Sequence, residues 1–139
     1  MKASELADSL CKDGLVEDRS RLVVKTLGNG AEAVGMTSID SSGNEYDIVI
    51  ELVGDKSGTA AARVTLAKSI RRYKELELLR YVNRLNSRTV TGGCYYVDSS
   101  KDSLTLYLVG TTIETDAMSV YKRLFALKSE ADKEFARLR

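Results

Sequence analysis

The chain of 139 residues contains no histidine, no proline and no tryptophan. Without histidine it cannot form a Ser-His-Asp or Cys-His catalytic arrangement, and it lacks the side chain that most often transfers protons near neutral pH. Without proline, its turns have to be made by glycine, asparagine, aspartate or serine. We therefore expect a protein that is not an enzyme; the alternative is an enzyme that uses carboxylate chemistry alone.

Cysteine is also scarce. Only Cys11 and Cys94 are present, 83 positions apart. A zinc site needs about four ligands, usually cysteine or histidine, and this chain cannot supply them. We interpret both cysteines as buried, reduced thiols, since a structural disulfide is disfavoured in a reducing compartment. The sequence predicts no metal site and no cofactor.

Long apolar runs are absent as well. No segment approaches the roughly 20 apolar residues that span a bilayer, and the first ten residues lack the basic and apolar pattern of a signal peptide. Apolar residues make up 43% of the chain and charged residues 29%, which is ordinary for a globular domain. We expect one cytoplasmic domain over residues 1–139, with no membrane association.

Charge is distributed unevenly although the net charge is only +1. Residues 1–60 carry six basic and eleven acidic side chains, whereas residues 61–139 carry fifteen and nine. The stretch 63–88 is the most basic and contains Arg63, Lys68, Arg71, Arg72, Lys74, Arg80, Arg84 and Arg88. It indicates either a patch that contacts phosphates or a solvated helix face with salt bridges. The pI of about 7.7 makes nucleic acid the less favoured partner.

Hydrophobic periodicity predicts the order helix, three or four strands, helix, strand, strand, helix. The first helix covers residues 3–13, the second ends near Asn86 as its C-cap, and the third begins near Asp116 with Thr115 as its N-cap. The clearest strand runs from Tyr46 to Leu52 and places Glu45, Asp47 and Glu51 on one face. We interpret these carboxylates as a solvated acidic face rather than as a site for a divalent ion or acid–base chemistry.

This order is typical of an α+β fold, in which an antiparallel sheet is packed against helices. The segment from Cys94 to Val97 is apolar on both faces and is predicted to be a central strand. Because alternate residues face opposite sides, we expect Tyr95 and Tyr107 to point away from the helices and Tyr96 to enter the core. The outward pair suits a dimer interface, and ordinary cross-strand packing is the alternative.

The second half of the chain resembles the YbjN-like family. The residues that carry the resemblance are the helix end Tyr81-Val82-Asn83-Arg84-Leu85-Asn86, the strand Gly93-Cys94-Tyr95-Tyr96-Val97-Asp98 and the strand Leu104-Thr105-Leu106-Tyr107-Leu108. The specific match covers residues 76–138, and the earlier residues match only in the order of elements. The family has the fold of the type III secretion chaperones and includes proteins described as sensory transduction regulators.

The resemblance implies a homodimer that binds an extended segment of another protein. On such a fold the apolar surface of the first helix and the neighbouring strand edge would receive the segment, which points to Leu6, Leu10, Leu22 and Val24. The alternative is that these side chains fill the core. The sequence therefore predicts a chaperone-like or regulatory protein-binding module, with a nucleic-acid or anionic-ligand module that uses residues 63–88 as the alternative.

Overall fold

The computed structural model describes residues 2–12, 19–28, 30–53, 62–71, 73–88, 92–100, 103–112 and 116–138. Three α-helices and six β-strands follow one another along the chain. They are α1 (Ala3–Lys12), β1 (Val23–Thr26), β2 (Glu32–Ile39), β3 (Glu45–Leu52), β4 (Ala62–Ile70), α2 (Glu75–Arg88), β5 (Cys94–Ser100), β6 (Ser103–Thr112) and α3 (Ala117–Glu134). One-turn 3-10 helices precede β1 (Arg19–Arg21) and follow α3 (Phe135–Arg137).

The strands form one open sheet in the order β1-β2-β3-β4-β6-β5, and every neighbouring pair is antiparallel. The predicted α+β class with an antiparallel sheet is therefore confirmed. The β4 strand pairs with β6 over nine residues, from Ala62 opposite Thr112 to Ile70 opposite Leu104. Since β6 takes the place beside β4, β5 is left at the margin of the sheet.

The position of β5 corrects one prediction. The segment from Cys94 to Val97 belongs to an edge strand that pairs with β6 alone among the described residues. Of its seven residues only Tyr95 is buried. A run that is apolar at every position is typical of a central strand, but it does not show which neighbours the strand has.

The helices pack on one face of the sheet and enclose the core. The α3 helix directs Val120, Leu124, Leu127 and Ala131 inward. Where α3 packs on β6, a Cβ added to Gly110 would lie 2.8 Å from Leu127 Cδ1, so glycine leaves room for the Leu127 side chain. Within the described residues, no helix combines the length and apolar character that would let it cross a membrane.

The N-terminus of α3 is capped one residue later than predicted. Asp116 has extended backbone angles, and its carboxylate accepts hydrogen bonds from Ser119 N at 3.0 Å and Ser119 Oγ at 2.8 Å. Thr115 lies outside the described residues. A carboxylate at this position also interacts favourably with the helix dipole.

Candidate partner-binding surfaces

The helices leave the second face of the sheet without a covering layer in the described part of the chain. We call it the uncovered face. It is formed by the odd-numbered residues of β1–β4 and β6 and the even-numbered residues of β5, because alternate residues of a strand point to opposite sides. The strand register places one row straight across its middle: Val23, Gly35, Val49, Thr65, Val109 and Cys94.

Two stacked tyrosines project from this face. Tyr96 and Tyr107 are direct partners in the register, and their ring centroids are 4.6 Å apart with planes inclined by 11°. Tyr96 remains 46% exposed. Partial burial, followed by the nearby Tyr107, raises the pKa of Tyr96 above its ordinary value. The stacked rings offer a flat, amphipathic contact area.

The predicted orientation of two of these side chains is wrong. Tyr95, expected to point outward, is 2% exposed in the core, and Tyr96 takes the outward position. The Tyr95 hydroxyl donates a hydrogen bond to Glu130 Oε2 of α3 at 2.6 Å. The alternation itself was predicted correctly, but four consecutive apolar residues do not reveal which of them faces the helices. Tyr107 does lie on the outer side.

The charges of the uncovered face are separated along the strands. Arg63 and Glu51 form an ion pair of 3.4 Å at one end, where Lys25 also lies in the same register row. Glu45 and Asp47 lie toward the other end of the strands. The three carboxylates of β3 thus share one face as the sequence predicted. Among the described residues, no group of acidic and cysteine side chains has the arrangement of a metal site.

The outer edge of the sheet at β1 is short and exposed, and it begins with two valines. All four residues of β1 are exposed, including Val23 at 58% and Val24 at 41%. After β1, Leu27 N donates to Ala31 O, on the side of β2, at 2.8 Å. Before β1, Leu22 N donates to Arg19 O, and Leu22 O accepts from the Arg19 guanidinium. Because backbone groups alternate along an antiparallel strand, the N–H and C=O of Val24 point to the outside. The β1 edge is therefore open to another strand.

The opposite edge of the sheet is closed near its start by Asn86. The Asn86 side-chain amide donates to Tyr95 O at 2.9 Å and accepts from Tyr95 N at 2.7 Å. In doing so it pairs with the β5 backbone as a neighbouring strand would. Asn86 is therefore not the predicted C-cap of α2, since the helix continues to Arg88. Of the two sheet edges, β1 is the more accessible.

Most of the side chains predicted to contact a partner segment lie in the core. Leu6 and Leu10 are 0% exposed and Leu22 is 4% exposed, so for these three the core alternative is correct. Val24 alone remains on the surface. The cysteines are both free thiols; Cys11 is half-buried, but Cys94 is exposed on the uncovered face, which corrects the prediction that both are buried.

The basic stretch is divided by the fold. Arg71, Arg80, Arg84 and Arg88 are exposed, and Arg72 lies outside the described residues. On α2, the Arg84 guanidinium stands 5.6 Å from the centre of the Tyr81 ring, and Arg88 approaches Glu134 at 3.9 Å. Lys68 does not belong to the patch because its side chain is 3% exposed.

Lys68 instead forms a buried ion pair, which was not predicted from the sequence. Its Nζ donates to Asp40 Oδ2 at 2.6 Å and to the carbonyl oxygen of Phe135 at the end of α3. The other carboxylate oxygen of Asp40 accepts from Ser42 and Asn44 in the β2–β3 turn. Burial acts to raise the pKa of Asp40, but the bonds from Lys68, Ser42 and Asn44 outweigh it and hold the pKa below its usual range. One signal was available in the sequence: Lys68 lies at an alternate position of β4 together with the apolar residues Val64 and Leu66, so it points to the same side of the sheet as they do.

Three tyrosines join α3 to its neighbours through carboxylates. Burial is the main cause, and the hydrogen bond to a carboxylate is the second, of a pKa above the ordinary value in each of these tyrosines. Each hydroxyl therefore stays protonated and donates. The pairs are Tyr95 with Glu130 (2.6 Å), Tyr46 with Asp132 (2.6 Å) and Tyr81 with Glu134 (2.8 Å). These three carboxylates therefore have a structural role, because they hold α3 against β5, β3 and α2.

Searches of protein-family models, curated proteins and solved structures return no match. Two surfaces of the described residues are candidates for binding: an open strand edge with apolar side chains, and a sheet face that carries stacked tyrosines and separated charges.

Proposed function

We propose that the protein is a non-enzymatic protein-binding module, chaperone-like or regulatory, that acts as a homodimer and binds an extended segment of a partner. The observation that carries the proposal is the β1 edge, where Val23 and Val24 are 58% and 41% exposed. A segment added beside β1 would pair with the outward backbone groups of Val24 and cover apolar side chains on both sides of the strand. Unprotected edges are otherwise sites of unwanted association.

The same proposal includes the family and the location. A YbjN-like relationship with a type III secretion chaperone-like fold is supported by the succession of an N-terminal helix, a block of strands, a helix, a hairpin and a C-terminal helix. A cytoplasmic location is supported by the two free thiols, which are typical of reducing compartments.

A proline at position 24 tests the strand-addition site. The Val24 N–H faces outward, and proline is tolerated on an edge strand when its missing N–H would face solvent. We expect a phage-displayed library of random linear peptides to yield binders of the wild-type protein with alternating apolar residues. Val24→Pro should weaken them at least about tenfold, or 1.4 kcal/mol, whereas Val24→Thr, which keeps the N–H, should retain most of the affinity.

Thermal unfolding of both variants provides the control, since each should unfold as the wild type does within a few degrees. If no peptide is enriched on the wild-type protein, or if Val24→Pro binds the enriched peptides unchanged, the β1 edge is not the binding site.

A second candidate function rests on the exposed arginines of α2. Arg80 and Arg84 lie one turn apart on the solvent side of the helix, where they could contact successive phosphates. This candidate predicts binding of a random oligonucleotide that weakens steeply with salt and is lost in Arg80→Ala/Arg84→Ala. The protein-binding proposal predicts no such binding at low salt, so titration of a labelled oligonucleotide separates the two.

A further inference from the structure

We propose that the uncovered face binds a basic, extended segment of a partner protein and holds one of its lysine or arginine side chains between Asp47 and the ring of Tyr107. This inference rests on the protein-binding class of the proposed function, but it uses a surface other than the β1 edge. The partner is identified by its positive charge, which complements carboxylates that form no ion pair with any described residue.

The binding surface is a groove along the middle of the uncovered face, which we call the β4 groove. Its floor is the outer side of β4, where Thr65, Ala67 and Ser69 present small side chains. The strand register places Ala67 between Asp47 of β3 and Tyr107 of β6. Neighbouring strands lie about 4.8 Å apart, so the backbones of Asp47 and Tyr107 are about 10 Å apart, with the alanine methyl group between them.

One wall of the β4 groove is the ring of Tyr107. Tyr96 stacks on one face of this ring, with centroids 4.6 Å apart and planes inclined by 11°. Because the two tyrosines are direct partners on adjacent strands, the second face of the Tyr107 ring turns toward β4 and therefore toward Asp47. The face of an aromatic ring attracts a cation that lies within about 6 Å of its centre. The stack with Tyr96 also holds the ring in this orientation.

The opposite wall of the groove is acidic. Asp47 and Glu45 are successive outward residues of β3 and both are exposed, and Asp98 lies at the same end of the uncovered face on β5. Among the described residues, no lysine or arginine forms an ion pair with these three carboxylates. The register places the cations Arg63 and Lys25 toward the other end of this face. Since the net charge of the protein is only +1, attraction of a basic segment is a local property of the acidic end.

The distance between the two walls suits one positively charged side chain. In a groove about 10 Å wide, a cation about 6 Å from the centre of the Tyr107 ring lies about 4 Å from the Asp47 carboxylate, which is the distance of an ion pair. Glu45 follows about 7 Å further along β3. Side chains i and i+2 on one side of an extended segment have the same spacing, so we expect the partner to carry basic residues at alternate positions.

Apolar side chains beside the acidic end favour a polypeptide over a small amine. Val49 and Val109 flank Thr65, one outward position along the groove from Ala67, and both are half-buried. An apolar side chain two positions from the bound lysine would lie between these valines and bury further apolar surface. A free amine reaches the carboxylates but not the valines. The favoured segment therefore carries an apolar residue and two basic residues at successive alternate positions.

Fluorescence anisotropy with a labelled synthetic peptide tests the β4 groove at low salt. The probe is Lys-Thr-Lys-Thr-Val-Thr-Lys-Thr-Lys, which has the expected pattern in both chain directions. We expect the wild-type protein to bind it at least about tenfold more tightly than the same peptide with glutamine in place of lysine. The rearranged peptide Thr-Lys-Lys-Thr-Val-Thr-Lys-Lys-Thr has the same composition and should bind more weakly, because half of its lysines face away from the groove.

Variants of the two walls locate the bound peptide. Asp47→Lys reverses the charge beside the cation and should weaken the probe at least about tenfold. Tyr107→Leu removes the aromatic face and should weaken it about threefold, whereas Tyr107→Phe keeps that face and should retain the affinity. Glu77→Gln, which neutralises an exposed acid on α2, is the matched control and should have no effect. Thermal unfolding checks that each variant keeps its fold.

Each remaining outcome decides between this site and another. No binding of the probe to the wild type, equal binding of the rearranged peptide, or unchanged binding to Asp47→Lys would overturn the proposal. Loss of the probe in Val24→Pro would assign it to the β1 edge instead. Failure of the random library to yield binders, with the probe still bound in the groove, would refute the β1 site alone. A self-association of the protein that Asp47→Lys abolishes would assign the groove to a second copy and overturn the proposal.

Zero-length cross-linking identifies the contacting carboxylates directly. A water-soluble carbodiimide joins a carboxylate to a neighbouring lysine amine as an amide, and mass spectrometry of the digested product locates the linkage. We expect the probe to be joined to Asp47 or Glu45 of the wild-type protein, and the yield to fall when an excess of unlabelled probe without free amines other than those of its lysines competes. Equal linkage to Glu77, or none to Asp47 and Glu45, would contradict binding in the β4 groove.

Discussion

Replacing Lys68 with alanine is expected to lower the free energy of unfolding by about 3–5 kcal/mol, because it leaves the carboxylate of Asp40 buried without its cation. Both side chains are almost fully inaccessible, at 3% and 0%, so water cannot take the place of the ammonium group. The substitution also removes the donor to the carbonyl oxygen of Phe135, where a cation interacts favourably with the end of α3. Urea unfolding at pH 7 measures the loss.

Two further variants separate the ion pair from simple loss of side-chain volume. Lys74→Ala removes an exposed lysine just before α2 and should change stability by no more than about 0.5 kcal/mol. Lys68→Met keeps the apolar stem but strands the carboxylate, and adding Asp40→Asn removes that charge. The double variant K68M/D40N should therefore be more stable than K68M. A loss below about 1 kcal/mol in Lys68→Ala would contradict the buried pair.

The same pair predicts how stability depends on acid. The pKa of Asp40 is lowered in the folded protein, so the folded state binds the proton less tightly than the unfolded state does. Its contribution is fully present above the unfolded pKa of about 3.9 and is lost as the pH falls through the lower folded pKa. The difference in stability between the wild type and Asp40→Asn should therefore shrink below about pH 4.

The class of the fold could be predicted because its elements have strong and different periods. The β3 strand alternates Tyr46, Ile48 and Ile50 inward with charged residues outward, and the structure buries all three. The α3 helix repeats its apolar residues at helical spacing, and the structure buries Val120, Leu124, Leu127 and Ala131. These patterns are local, since each follows from one segment and the preference of one of its sides for the core.

The order of strands in the sheet and the phase of β5 could not be predicted, because both depend on contacts between distant segments. Tyr95 points inward, where its hydroxyl donates a hydrogen bond to Glu130, which lies 35 residues later on α3. Asn86 closes the β5 edge instead of ending α2 because the Tyr95 backbone lies beside it. Neither relation leaves a signal in the spacing of apolar residues.

The candidate surfaces were harder still to predict, because each combines residues from several strands. Glu51 and Arg63 are neighbours only through the β3–β4 register, and Tyr96 and Tyr107 only through the β5–β6 register. An outward tyrosine pair was predicted, but its member on β5 is Tyr96 and not Tyr95. Lys68 was predicted to belong to a basic patch, but as an even-numbered residue of β4 it lies on the helical side, where it binds Asp40 and the end of α3.

The two phenylalanines of the chain allow a matched test of this division between core and surface. Phe135 is 0% exposed after the end of α3 and packs edge to face against Tyr46, with ring centroids 5.3 Å apart at 84°. Phe125 lies ten residues earlier and is 55% exposed. Phe135→Ala should lower the free energy of unfolding by about 3–5 kcal/mol, since it removes apolar contacts and leaves a cavity, while Phe125→Ala should change it by no more than about 0.5 kcal/mol.

Equilibrium unfolding of the two variants under the same conditions makes the comparison. Phe135→Leu should lose less than Phe135→Ala, because it keeps more of the buried volume. Phe135→Ala keeps the backbone carbonyl oxygen that accepts from Lys68, but both substitutions loosen the same end of α3, so the losses from Phe135→Ala and Lys68→Ala should not add in the double variant. Additive losses would show that the packing of Phe135 on Tyr46 and the ion pair under the β2–β3 turn stabilise the end of α3 independently, and equal losses at positions 125 and 135 would contradict the placement of α3 on the sheet.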